Sequence, residues 1–120
     1  MAAHNDLGTW GEDLAAAFLR QKGYVIIERD WRLGHRDIDL IALDGDTMVF
    51  VEVKTRRNRV FGSPEEAVGY RKLRNLRSAI DFYVKSRRIN YELRFDIVSI
   101  VGTPASDHPE IDHLKDVRVY

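Results

Sequence analysis

The chain has 120 residues, 44% hydrophobic and 32% charged, enough for one globular domain with a real core and too few for two. It has no cysteine, which excludes disulfides, thiolate metal sites and cysteine nucleophiles, and no apolar run near the ~18 residues of a membrane span. Net charge is zero but unevenly spread: residues 1–53 hold 5 Lys/Arg against 10 Asp/Glu, residues 54–88 hold 11 against 3, and residues 89–120 hold 3 against 6.

The opening Met1-Ala2-Ala3-His4-Asn5-Asp6 lacks a signal peptide's basic and apolar regions, so a cytoplasmic protein without membrane contact is expected. From about Asp6 to Lys22, Leu7, Trp10, Leu14, Ala17 and Phe18 recur at helical steps, with Asp6 placed to cap and Gly23 placed to end the helix. Gly8 and Gly11 each weaken that helix by about 1 kcal/mol relative to Ala, which implies a close backbone approach there. Tyr24–Arg29 is a short strand, and Asp30-Trp31-Arg32-Leu33-Gly34 reads as a turn. His35, His108 and His113 have no partner at metal-ligand spacing.

Residues 38–56, IDLIALDGDTMVFVEVKTR, read as a hairpin. With Gly45-Asp46 as the central turn residues, Asp39 falls opposite Glu52; with Asp44-Gly45 the two acids are diagonal neighbours. Either way they share a face, joined by Lys54, Asp37 and Arg56. That face also carries Ile41, Leu43, Met48 and Phe50, while Ile38, Leu40, Val49, Val51 and Val53 fill the other. Strands apolar on both faces are normally covered on both sides, so the charges gather at one end of a buried sheet, where they must be paired or bound to metal. Two carboxylates and a backbone carbonyl suit Mg²⁺ or Mn²⁺, hard cations with oxygen ligands. Such an ion polarises a phosphoryl oxygen and lowers the pKa of water, the chemistry of phosphodiester hydrolysis. Lys54 is placed to orient water or offset charge on a phosphate.

Thr55 to Arg59 is a basic loop, and Ser63-Pro64-Glu65-Glu66 has the form of a capping box. Gly69 splits off a helix body over about Tyr70 to Arg87, with Leu73, Leu76, Ile80 and Tyr83 or Val84 as its buried stripe. Its basic residues, with those of the loop, are suited to neutralising phosphates without reading bases; Arg56, Arg57, Arg59, Arg71, Lys72 and Arg74 are the candidate contacts. Asn90 to Val101 alternates as a strand with Leu93, Phe95 and Ile97 on one side. Asp96 is expected to pair with Arg94, and Ile111 to Leu114 makes a last short strand.

The ordered set Gly11-Glu12, DIDLIA (37–42), FVEVKTR (50–56), FGSPEEAV (61–68), Lys72 and RFD (94–96) resembles the PD-(D/E)-x-K nuclease superfamily. More closely, it resembles the small bacterial YraN-type proteins, themselves similar to Holliday-junction resolvases. The resemblance spans nearly the whole chain as a single domain, 1–120. It implies a restriction-endonuclease-like mixed β-sheet flanked by helices. It also implies Asp39, Glu52 and the Val53 carbonyl as ligands of Mg²⁺ or Mn²⁺, Lys54 as the catalytic lysine, and Glu12 reaching the same site. The family usually has G-E-I-D where this chain has Arg36-Asp37-Ile38-Asp39, so the shorter Asp37 is not counted as a ligand. The expected activity is metal-dependent endonucleolytic cleavage of DNA, acting on branched substrates, with a homodimer needed to meet a four-way junction from two sides. A non-catalytic nucleic-acid-binding or adaptor protein with the same fold is the alternative.

Overall fold

The structure, a computed structural model, describes residues 6–58 and 69–118. The chain runs α1 (Asp6–Gln21), β1 (Val25–Leu33), β2 (Arg36–Asp44), β3 (Thr47–Arg56), α2 (Tyr70–Ser86), β4 (Glu92–Val101) and β5 (Glu110–Leu114). The strands form one mixed sheet in the order β1-β2-β3-β4-β5, antiparallel except for the β3–β4 pair. A parallel pair needs a crossover connection, and α2 lies on that connection. This is the mixed α/β architecture expected from the sequence, compatible with a restriction-endonuclease-like arrangement. Among the described residues, no helix is long and apolar enough to cross a membrane.

The two sides of the sheet carry separate cores. Leu40, Ala42, Val49, Val51, Val98 and Ile100 pack under α1 with Ala15, Ala16 and Leu19. Ile41, Met48, Phe50, Phe95 and Ile97 pack under α2 with Leu76, Ala79, Ile80 and Tyr83. Both faces of β2 and β3 are therefore covered, as their two-sided apolar pattern requires. The α2 stripe is the expected one, with Leu73 and Val84 at its margin.

The stripe of α1 is rotated from the expected one. Ala17 is exposed, and the fully buried positions are Ala15, Ala16 and Leu19, with Trp10, Leu14 and Phe18 partly buried beside them. Small residues at the contact let the helix sit close to the sheet, and Gly11 shows how close. A Cβ there would lie 1.9 Å from Thr55 Oγ1 and 3.0 Å from Thr55 Cβ and Cγ2, whereas at Gly8 it would meet nothing within 4 Å. The close approach implied by the two glycines is therefore at Gly11 alone. Gly11→Ala is expected to destabilise the protein by about 1–3 kcal/mol, as overpacking does. In a double-mutant cycle read by chemical denaturation, Thr55→Ala should recover part of that loss; strictly additive effects would contradict the contact.

The ends of the elements are set by local chemistry. Gly23 (φ 95°) closes α1 in a Schellman motif, its N–H donating to Arg20 O at 2.9 Å and Tyr24 N–H donating to Leu19 O at 3.0 Å. The same pattern ends α2, where Ile89 N–H donates to Val84 O at 3.0 Å with Arg88 (φ 53°) in the left-handed position. The N-terminal cap of α2 is Gly69, which makes no side-chain cap bond. The capping box expected at Ser63–Glu66, and Arg59 with it, lie outside the described residues.

One expected turn is not a turn. Asp30 to Leu33 continue β1, with Trp31 opposite Ile38 and Leu33 opposite Arg36, and the chain reverses at Gly34-His35 instead. Asp30 (φ 54°) is a left-handed interruption within the strand. It lets Trp31 turn onto the α2-side core, edge-on to Tyr83 with ring centroids 5.6 Å apart. That burial keeps the stretch in the sheet despite its turn-like composition.

Candidate active site

The second hairpin closes at Gly45-Asp46, and Asp44 pairs with Thr47, Ala42 with Val49 and Leu40 with Val51. This is the register that places Asp39 opposite Glu52, but the pairing of backbones stops one step short of them. There the Asp39 carboxylate accepts the N–H of Val53 at 2.8 Å, and the two strands part around the acids. The same irregularity breaks the alternation of β2. Ile38, expected beside Leu40, packs instead in the α2-side core with Ile41.

The parted strand ends and the first turns of α1 enclose a cavity of about 450 Å³. Glu12, Asp39, Glu52, Val53 and Lys54 all line it, so the structure brings together every residue the sequence singles out for chemistry. Asp30 and Arg32 reach its rim and are joined to each other at 3.1 Å. Neither is marked by the sequence, because their place depends on the left-handed kink at Asp30.

The acids occupy different environments. Glu52 is 6% exposed; its Oε2 lies 3.7 Å from Lys72 Nζ, and its Oε1 is buried without a hydrogen-bond partner. Burial first, and the neighbouring Asp39 carboxylate second, push the Glu52 carboxyl up to about 8. Burial also raises Asp39, opposed by the N–H of Val53 and the charge of Lys72. Glu12 is raised by burial and then by Asp39, against the Arg29 guanidinium that holds its Oε1 at 3.3 Å. Two carboxylates buried side by side resist ionising together, so a proton or a cation between them lowers the cost. Among the described residues no three His, Cys, Asp or Glu side chains converge as a metal cluster. Asp39 and Glu52 are the paired carboxylates of the cavity, and the orphaned Oε1 of Glu52 fits a hard, oxygen-bound ion better than a zinc-type centre.

The basic residues divide into groups that the sequence treats as one. Arg57, Arg71 and Arg74 are exposed. Arg56 is 8% exposed, with its backbone carbonyl accepting the Gly102 N–H at 2.8 Å. Its side chain is therefore largely withdrawn from the surface, unlike that of Arg57. Lys72 turns toward Asp37, at 3.6 Å, and Glu52. Asp96 pairs with Arg94, as expected, and belongs to a separate buried network away from the cavity.

Fold and site thus define a small α/β domain with a carboxylate-lined cavity where a central hairpin opens. The family described as "Uncharacterised protein family UPF0102" matches residues 11–100, and the chain belongs to it. It is 43% identical to a UPF0102 protein of Bacteroides thetaiotaomicron over 97% of this chain and 94% of that one. It is 52% identical to one of Syntrophomonas wolfei over 82% and 86%, and 46% identical to one of Rhodococcus opacus over 95% and 98%.

Proposed function

We infer that the protein is a Mg²⁺- or Mn²⁺-dependent endonuclease of the PD-(D/E)-x-K type, hydrolysing phosphodiester bonds of DNA, with branched DNA as the substrate class. The observation that carries this reading is Glu52, more than nine-tenths buried, with one carboxylate oxygen left without a partner beside Asp39 in an open cavity. Burying an acid this way is costly unless something binds it.

Asp39 and Glu52 would hold the ion, with the Val53 carbonyl as a third oxygen. The ion supplies Lewis acidity and a water of lowered pKa. Lys54 lines the cavity and would offset charge gathering on the phosphate. Glu12 is the fourth member of the site: it enters from α1, steered by Arg29, and can accept a proton from water. Arg57, Arg71 and Arg74 supply the exposed positive charge that draws the DNA backbone in. A two-fold dimer would present two such cavities to a four-way junction.

The test is a panel of linear, flapped and four-way-junction DNA incubated with Mg²⁺ or Mn²⁺. Cleavage is expected, falling at least ~10³-fold in Glu52→Ala and Lys54→Ala, in line with the loss of a principal electrostatic contributor. DNA that is bound but never cut, with binding unchanged in both variants, would replace this reading with that of a non-catalytic DNA-binding protein.

A further inference from the structure

Lys72 stands out as a cation in the wrong place for its helix. With Gly69 as the cap it is the third residue of α2, and the first turn holds no acid. Positive charge at a helix N-terminus opposes the macrodipole, so an outside partner must hold it there. Two carboxylates do: Asp37 Oδ1 at 3.6 Å and Glu52 Oε2 at 3.7 Å. Both distances are those of charge contact, longer than the hydrogen bonds that would lock the ammonium in one geometry. The Lys72 side chain is 37% exposed and that of Glu52 8%, so a part-exposed ammonium meets the buried acid from α2, outside the lining of the cavity. Lys54, by contrast, makes no ion pair among the described residues, although it lines the cavity.

Resting on the proposed metal-dependent reading, we propose that Lys72 is the resident counter-cation of the carboxylate cluster and competes with the divalent ion for Glu52. An entering ion must displace the proton shared by the acids and take over the neutralisation that Lys72 provides to the remaining negative charge, and a phosphate of the DNA backbone is the group able to draw the ammonium away. Ion and nucleic acid then favour each other's binding through one side chain, a coupling that is reciprocal by linkage. Lys72 is thus a positioning residue that sets ion affinity, not one more contact on the exposed basic face. The sequence offers one faint signal of this, a first helical turn with cations and no acid.

The experiment measures Mn²⁺ binding by isothermal titration in DNA-free wild type and in Lys72→Met, Lys72→Arg and Lys85→Met, each confirmed folded by circular dichroism. Lys72→Met is expected to bind Mn²⁺ about tenfold more tightly than wild type. Lys72→Arg should stay close to wild type, because the charge is kept. Lys85→Met, the loss of an exposed cation in the last turn of the same helix, should change affinity far less. Equal affinities in wild type and Lys72→Met, weaker binding in Lys72→Met, or an equal gain in Lys85→Met would each overturn the role of Lys72 and leave the metal site standing. Absence of Mn²⁺ binding in wild type and in every variant would instead overturn the metal-dependent reading on which this rests.

Discussion

Glu52→Gln is expected to make the ion-free protein more stable at pH 8 while removing most of its affinity for a divalent ion. The carboxyl of Glu52 is raised from an ordinary 4.5 to about 8, by burial and then by Asp39. Between those values the folded protein keeps a proton that the unfolded chain releases. Stability therefore falls as pH climbs from about 4.5 toward 8, and is fully restored only below that window. Gln has nearly the same shape and no proton to lose, so the variant escapes the penalty. The gain at pH 8 should be on the order of 4 kcal/mol, or roughly 10–20 °C in melting temperature, and should shrink below about 1 kcal/mol near pH 5. Ion binding in wild type should release about one proton and weaken as pH falls below 8, because the ion needs the charged form. A melting temperature unchanged by the substitution at both pH values would mean that Glu52 does not carry a raised carboxyl.

Much of this site is legible in the sequence because a hairpin turn fixes register, and register fixes which side chains meet. Either turn register the sequence allows brings Asp39 and Glu52 together, and the Gly45-Asp46 turn does so with a ladder that ends one pair short of them, at Leu40 and Val51; Gly23 and the α2 stripe are equally local readings. What the sequence hides is conformation decided by distant packing. Asp30 to Leu33 has the composition of a turn, yet stays in the sheet because Trp31 finds a place against Tyr83. Ile38 changes sides because the Asp39 carboxylate, not a strand, takes the Val53 N–H. Arg56 and Lys72 look like members of one basic surface, but the first lies inside and the second faces acids from another element. Charge counts along a chain cannot distinguish a cation that waits for a phosphate from one already committed to a carboxylate.

The largest loss of stability is expected from Asp96→Ala, on β4 beside Val51. Asp96 is completely buried and accepts four hydrogen bonds: from Arg94 Nε at 2.9 Å and Nη2 at 3.0 Å, from His113 Nε2 at 2.7 Å and from the Asp116 N–H at 3.0 Å. The Lys22 ammonium lies 2.9 Å from His113 Nδ1 and can only donate, which puts the ring proton on Nε2, facing Asp96. Arg94 reaches on to Asp44 and the Tyr24 hydroxyl. One carboxylate thereby ties β4 to β5 and to the C-terminal end of α1. Removing it leaves a guanidinium and an imidazole facing an apolar void, a change that costs about 3–5 kcal/mol when a buried ion pair is broken from one side. The pH dependence has the opposite sign to that of Glu52. Burial alone would raise the Asp96 carboxyl, but His113, Arg94 and the Asp116 N–H outweigh it and hold it below the ordinary 3.8. Its contribution is present above that value and is lost as pH falls through the lower folded value. Wild type should therefore be most stable in mildly acidic solution, between the acid limb set by Asp96 and the alkaline decline set by Glu52. Asp96→Asn should flatten the acid limb and Glu52→Gln the alkaline one. An acid limb that survives unchanged in Asp96→Asn would assign it to other carboxylates and remove Asp96 as the keystone between β4 and β5.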